Sequence, residues 1–259
     1  MKRIFFLTLL SNLILPAHPP LPADAPSKVT VDPERKAPEL IIIPRKDINH
    51  QGWLLRVDKR LLPEGELYDT IGKRSLSLIK SHLGRIDEVI PKAALAELKK
   101  VPIILDEHPQ MIPAQYHPSI DWLEKHNYDP ALGHCVQICR ASFFISPERT
   151  QWQQAVVLHE LAHAYHHQVL GFENEEILQT FANGRDTGIY DKVLHANGKE
   201  TRHYALTDHK EYFAEATEAF YAANDFFPFV RAELHQHDPK AYEMIRRAWE
   251  RKTDNLETP

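Results

Sequence analysis

The sequence is poor in cysteine and has no long run of lysine and arginine. Two cysteines cannot make a disulfide framework, and a chain of 259 residues does not need one to bury a core. The formal charge is −5, so the chain lacks the basic character that attracts nucleic acid or anionic membranes. The 43% hydrophobic and 26% charged residues are instead typical of a folded globular protein.

The N-terminal apolar run is too short to span a bilayer. It covers residues 4–15 and follows Lys2 and Arg3, whereas a spanning helix needs about 20 apolar residues. A basic start, a short apolar run and then small residues are typical of a secretory signal peptide. We therefore predict a signal peptide at residues 1–17, with residue 25 as the alternative cleavage point. The mature protein would be secreted or periplasmic, without a stable membrane span.

The distribution of proline separates a linker from the domain that follows it. Eight of the 19 prolines fall between Pro16 and Pro44, which predicts a Pro-rich linker at residues 18–45 and one domain at 46–259. Hydrophobic patterns predict strands at 40–43, 53–57, 101–105 and 136–145. They also predict helices at 67–83, ended by Gly84, and at 93–98, with a mainly helical region after residue 150.

The two cysteines, Cys135 and Cys139, lie four residues apart on the last predicted strand. At about 3.3 Å per residue they would be roughly 13 Å apart, too far for a disulfide. We expect buried free thiols, with a cysteine metal pair as the alternative.

The segment 150–171 has the pattern of a buried helix. Thr150 and Gln153 form a possible capping box, and Gly171 can end the helix. Apolar residues occupy most of the helix circumference between these ends, which is typical of a central helix.

This predicted helix carries His159, Glu160 and His163 as H-E-x-x-H. Residues four apart lie one above the other on a helix, so both imidazoles can face one metal ion, with Glu160 placed to act as a base. Burying these groups without a partner would cost several kcal/mol, which favours a zinc site. His166 lies too far along the helix to share the ion, and we expect it, like His167, to be solvated or to lie behind the ligands.

A third ligand has to come from another segment. Glu211, Glu215 and Glu218 follow each other at i, i+4 and i+7, so they share one helix face. That face could equally be solvated, and Glu211 could instead form a capping box with Asp208. Glu175 and Glu176 are competing candidates for the third ligand, because they lie closer in sequence to the helix that carries His159 and His163.

Two motifs together resemble the zinc peptidase domain of anthrax lethal factor and its secreted relatives, which include the Pro-Pro endopeptidases. The first is HELAH at residues 159–163, and the second is Tyr204 seven residues before Glu211, followed by Tyr-Phe-Ala-Glu-Ala. The similarity covers about residues 150–235. It implies an α+β, zincin-like fold with a small mixed sheet, an active-site helix and a mainly helical C-terminal part.

The resemblance also implies a role for each residue that matches the motifs. His159, His163 and Glu211 would bind one Zn²⁺, and Glu160 would be the general base. Tyr204 would donate to the developing oxyanion, although the neighbouring His203 could compete as a donor. Glu215 would accept a hydrogen bond from one of the ligand histidines.

The sequence therefore predicts a secreted zinc metalloendopeptidase that acts on peptides or proteins and not on nucleic acid. An extended substrate could pair with an edge of the predicted strand 136–145. One alternative is a catalytically silent binding module stabilised by zinc, against which the intact Glu160 argues. Another is a toxin-like effector protease.

Overall fold

The computed structural model describes residues 40–251. The predicted signal peptide, most of the predicted linker and residues 252–259 lie outside this range. Two sheets form within it, with strands β1 (Arg45–His50), β2 (Trp53–Asp58), β3 (Ile103–Leu105), β4 (Ala114–Tyr116), β5 (Val136–Ile138), β6 (Val193–Leu194) and β7 (Glu200–Thr201). The helices are α1 (Lys73–Val89), α2 (Lys92–Leu98), α3 (Ile120–Lys125), α4 (Ala141–Phe144), α5 (Pro147–Trp152), α6 (Val156–Tyr165), α7 (Glu175–Asp186), α8 (His209–Tyr221), α9 (Arg231–His237) and α10 (Pro239–Trp249).

This is a mixed α+β architecture, as predicted, with a small five-stranded sheet and a separate pair of strands, β6 and β7. The five-stranded sheet has the order β1-β2-β3-β5-β4, in which β2, β3 and β5 are parallel and the two edge strands are antiparallel. All residues of β3 and β5 are buried, which explains their continuous apolar character. None of the helices within residues 40–251 has the length and apolar character needed to cross a membrane.

The first hairpin differs from the prediction. We expected a strand at 40–43, but the strand is β1, which pairs with β2 across Gln51 and Gly52. Both turn residues have positive φ, 53° and 88°, which is the conformation of the two-residue turns that match strand twist. The last residues assigned to the linker thus belong to the fold, because Ile43 is buried and β1 starts at Arg45.

The predicted strand at 136–145 is also shorter than expected. β5 ends at Ile138, and the chain turns at Arg140 into α4. Glu107 holds this helix start, because its two carboxylate oxygens accept from the backbone N–H and the hydroxyl of Ser142 at 2.8 and 2.7 Å. β5 lies inside the sheet between β3 and β4, so neither of its edges can take up a peptide. The edge strand next to β5 is β4.

The helix predicted at 67–83 is shifted along the chain. Its first residues form a π-turn at Tyr68–Gly72, and α1 then continues through Gly84 to Val89. Gly84 does not end it, because the helix stops at Ile90, which is extended before Pro91.

A buried ionic network connects the sheet to its flanking loops. The Arg45 guanidinium donates two hydrogen bonds to Asp106 and one to Asp129, each at 2.8 Å. The side-chain amide of Gln137 also donates to Asp106, and the Oε1 atom of that amide lies 2.9 Å from His117 Nε2. Burial alone would lower the pKa of Arg45, but the hydrogen bonds and charges of Asp106 and Asp129 raise it instead.

The central helix is α6, which packs between the β4 edge of the sheet and α8. Every residue of α6 is buried. The predicted single helix at 150–171 is broken in two, since Ser146 caps the shorter α5, with Pro147 in its first turn, and Gln153 leaves the helical conformation. Thr150 therefore does not cap α6, but Gly171, with φ at +80°, does end the π-turn that follows α6.

Candidate metal site

The two histidines of α6 face the same point. His159 and His163 lie one turn apart, and their Nε2 atoms are 3.1 Å from each other. Both are buried, at 8% and 3% exposure, inside a helix whose other residues are mostly apolar. Two imidazole nitrogens brought this close in the interior can share one metal ion.

The third member comes from α8. Asp208 caps this helix, accepting from the backbone N–H groups of Lys210 and Glu211 at 2.8 and 3.0 Å. The side chain of Glu211 is therefore not needed for the cap. Its Oε2 lies 3.1 Å from His159 Nε2 and 3.4 Å from His163 Nε2.

The glutamate stripe of α8 is buried and not solvated. Glu211, Glu215 and Glu218 are 2%, 4% and 6% exposed, because α8 turns this face toward α6. Within residues 40–251, no lysine or arginine nitrogen lies within 4 Å of these three carboxylates, and Glu215 Oε2 has no hydrogen-bond partner. Buried carboxylates without a cation are strongly unfavourable, so the cluster fits a positively charged ion. Two triads of this cluster bring their ligand atoms close enough to hold one ion: the predicted His159, His163 and Glu211, and also His159, Glu215 and Glu218.

The second nitrogen of His159 is held by Glu218. His159 Nδ1 lies 2.6 Å from Glu218 Oε1 but 3.7 Å from Glu215 Oε1. The hydrogen bond that the sequence assigned to Glu215 is thus made by the residue one turn further along. Both carboxyls have raised pKa values, first because they are buried and then because neighbouring carboxylates repel their charge.

Glu160 points toward the sheet edge. Its Oε2 accepts a hydrogen bond of 2.8 Å from the backbone N–H of Tyr116 in β4. Burial raises the pKa of Glu160, while the charges of His159 and His163 oppose that rise. The contact fixes the carboxylate at the edge strand.

Tyr204 opens a short 3₁₀ turn, Tyr204–Leu206, that packs against α8. Burial, followed by the charges of Glu211 and Glu215, strongly raises the pKa of its hydroxyl, which therefore stays protonated at neutral pH. His203, the expected competitor, is occupied elsewhere. Its Nδ1 accepts from Ala205 N at 3.0 Å, and its ring stacks on Phe226.

The remaining candidates lie outside the cluster. Glu175 and Glu176 are exposed on α7, where Glu176 pairs with Arg247 at 2.6 Å. His166, expected to be solvated or to lie behind the ligands, is fully buried among Phe172, Phe213 and His209, so the first of these alternatives is wrong for it.

The cysteines are also accounted for. Cys135 and Cys139 are buried free thiols, as expected. Neither belongs to the histidine and glutamate cluster.

Glu218 is the residue of the site whose role the sequence did not assign. Its spacing at i+7 from Glu211 placed it on the correct helix face, but only the packing of α8 on α6 determines which carboxylate meets His159 Nδ1.

No protein-family model matches this chain, and no curated protein sequence matches it significantly. Among solved structures, the chain is similar to a Pro-Pro endopeptidase from Paenibacillus alvei. The two are 15% identical with a TM-score of 0.43, and the match covers 74% of this chain and 96% of the other. The function therefore has to be inferred from the residues of the site themselves.

Proposed function

We propose that this protein is a zinc-dependent metalloendopeptidase with a zincin-like fold, related to the lethal factor group and exported by its N-terminal signal. The supporting observation is the triangle formed by His159 Nε2, His163 Nε2 and Glu211 Oε2, with sides of 3.1, 3.1 and 3.4 Å. A tetrahedral zinc with bonds of about 2.0–2.1 Å has ligand–ligand distances of about 3.3–3.4 Å. Two imidazoles and one carboxylate are also a donor set that zinc uses in hydrolases.

The ion, when bound, would supply Lewis-acid polarisation of the scissile carbonyl and would lower the pKa of a water molecule to near 7. The remaining steps belong to the side chains. Glu160, fixed through Oε2 by the Tyr116 N–H, takes the proton of the attacking water and delivers it to the leaving amine. A base held by a backbone hydrogen bond loses little orientation between these two transfers.

Tyr204 is the donor to the oxygen that becomes negative during attack. Its hydroxyl remains protonated because burial and the nearby carboxylates disfavour the phenolate. Its hydrogen bond would be strongest when the charge on that oxygen is greatest, which stabilises the transition state selectively.

The substrate is an extended peptide that pairs with the outer edge of β4. β4 is an edge strand of the sheet, and the backbone N–H of its last residue, Tyr116, donates a hydrogen bond to Glu160. Pairing here would bring the peptide backbone beside the base and the metal ligands. A substrate peptide with N-methylated backbone amides should bind far more weakly than the parent peptide. Equal binding of the two would contradict this mode.

The test of the proposed function is Glu160→Gln. The amide keeps the size of the side chain and the acceptor for Tyr116 N but cannot take up a proton. We expect zinc content to stay the same and cleavage of a peptide library to fall by about 10²–10⁴-fold. Glu175→Gln, at an exposed glutamate outside the cluster, is the matched control and should cleave normally. Unchanged cleavage by Glu160→Gln would refute the assignment.

A further inference from the structure

A cavity of about 160 Å³ lies at the N-terminal end of α6. Its walls are α1, the end of α4, α5 and the first residue of α6, Val156. Val156 precedes the ligand His159 by three residues, which corresponds to about 4.5 Å along the helix axis. The cavity is therefore within reach of a peptide bound at the metal cluster, since an extended chain advances about 3.3 Å per residue.

The lining of this cavity is positively charged. Arg85 and Arg149 contribute guanidinium groups, and Ser81, Thr150 and Gln154 contribute uncharged polar groups. None of the lining residues is acidic. His82 also lines it, but burial lowers its pKa to about 4, so the two arginines carry the charge at neutral pH.

Arg149 is a partly buried cation without an ionic partner among residues 40–251. Its guanidinium carbon lies 4.7 Å from the centroid of the Phe143 ring, and its only hydrogen bond to a side chain is made by its backbone N–H to Ser146. Burial lowers the pKa of Arg149, and the more distant charges of Glu160, Asp225 and Glu218 only partly oppose this. Arg45, which is also partly buried, is instead bonded to two aspartates.

An arginine withdrawn from water is stabilised when an anion completes its hydrogen bonds. The planar guanidinium fits a carboxylate best, because two parallel N–H groups can bond to its two oxygens. Arg149 and Arg85 line the same cavity, so one carboxylate entering it would meet two cations.

We propose that this cavity is a subsite that binds a carboxylate of the peptide substrate, with Arg149 as its main contact and Arg85 as the second. The proposal rests on the proposed peptidase function. It assigns the enzyme a preference for peptides that carry an acidic group a short distance from the scissile bond. The carboxylate belongs either to an Asp or Glu side chain or to the C-terminus of the substrate.

Binding to the full-length Glu160→Gln protein tests this without requiring turnover. The probes are three pools of short peptides measured by calorimetry: amidated with a fixed Glu, amidated with a fixed Gln, and the Gln pool with a free C-terminal carboxylate. We expect the Glu pool to bind about tenfold or more tightly than the amidated Gln pool. Tighter binding of the free-acid Gln pool alone would identify the C-terminus as the source.

Two substitutions connect that preference to the cavity. Arg149→Gln should reduce the ratio between the pools to about one, and Arg85→Gln, at an exposed position on α1, should reduce it in part. Lys73→Gln removes an exposed charge from α1 outside the cavity and should leave the ratio unchanged. Thermal unfolding of each variant verifies that it is folded, and the Arg85 variant keeps the test valid if Arg149→Gln does not fold.

Equal binding of the three pools, or binding of none, would overturn the subsite. A preference that persists in both arginine variants would overturn it as well. These results are separable from the proposed function. Cleavage by the wild-type protein without a carboxylate preference would leave the peptidase intact and remove the subsite. An Arg149-dependent preference in a protein that cleaves nothing would support the carboxylate subsite and refute the peptidase function.

Discussion

Two buried charge clusters lie in this fold, and they are built in opposite ways. In the first, Arg45 bonds to Asp106 and Asp129, and Gln137 supplies a further donor to Asp106. In the second, Glu211, Glu215 and Glu218 surround His159 and His163 without a lysine or arginine nitrogen within 4 Å in residues 40–251. The first cluster is neutralised by side chains of the protein. The second has an excess of carboxylates.

This difference in charge balance predicts different roles for the two clusters. A buried ion pair with complete hydrogen bonds is self-sufficient, whereas an unbalanced set of carboxylates needs a cation from outside. The unbalanced cluster also contains Glu215 Oε2, which has no hydrogen-bond partner within the described residues. We therefore expect the first cluster to contribute to stability regardless of metal, and the second to depend on metal.

The largest effect on stability should come from Arg45→Met. The substitution leaves Asp106 and Asp129 buried without their cation, which should lower the free energy of unfolding by about 3–5 kcal/mol. Urea denaturation with and without a chelator measures the loss, which should be the same in both conditions. Lys192→Met breaks an exposed ion pair with Glu200 and should change stability little. A similarly small loss for Arg45→Met would contradict the structural role of the first cluster.

A smaller effect is expected from Glu218→Gln. This side chain lies 2.6 Å from His159 Nδ1, and carboxylates that orient a ligand histidine typically contribute about 10–100-fold to metal affinity. Competition with a chromogenic chelator measures the change. Glu215→Gln is the matched comparison and should weaken binding less, because its nearest oxygen is 3.7 Å from the same nitrogen. The opposite order of the two variants would support the contact predicted from the sequence.

The third effect appears only as the pH falls, and it concerns a histidine at the end of the Arg45 network. Burial, with the charge of Arg45 adding to it, lowers the pKa of His117 to about 4, whereas an unfolded histidine titrates near 6.5. As the pH falls from 6.5 toward 4, the unfolded chain binds a proton that the folded protein excludes. Wild-type stability should therefore decrease relative to His117→Gln by about 1.4 kcal/mol per pH unit in this window.

Above pH 6.5 the same contribution is fully present, and the difference between the two proteins should be constant. Denaturation curves of both proteins, recorded with chelator at several pH values, isolate the effect of His117. A difference that stays constant down to pH 4 would show that His117 is protonated in the folded state.

The elements of the site were predictable because their signals are local. The spacing of His159 and His163 puts both on one helix face. Asp208 is a preferred N-cap residue and so predicts the start of α8. The pairing of His159 with Glu218 instead of Glu215 was not predictable. It depends on how α8 crosses α6, and a displacement of one helical turn exchanges the two glutamates.

The same limit applies to the fold. The β1–β2 turn uses Gln51 at positive φ, where the sequence has none of the Asn-Gly or Asp-Gly pairs that normally predict such a turn. The apolar run after β5 continues the strand pattern, but Glu107, more than 30 residues away, binds Ser142 and starts a helix there. Local periodicity carries no information on contacts of that range.

The most direct test of the account is the zinc content of the purified full-length protein, measured by elemental analysis beside Glu211→Gln and His163→Ala. If the unbalanced cluster is a catalytic metal site, the wild-type protein binds one zinc ion per chain, and both variants bind little or none after dialysis. Arg45→Met, if folded, retains its zinc. A wild-type protein without zinc, or variants that bind as much zinc as the wild type, would show that these residues do not form a zinc site.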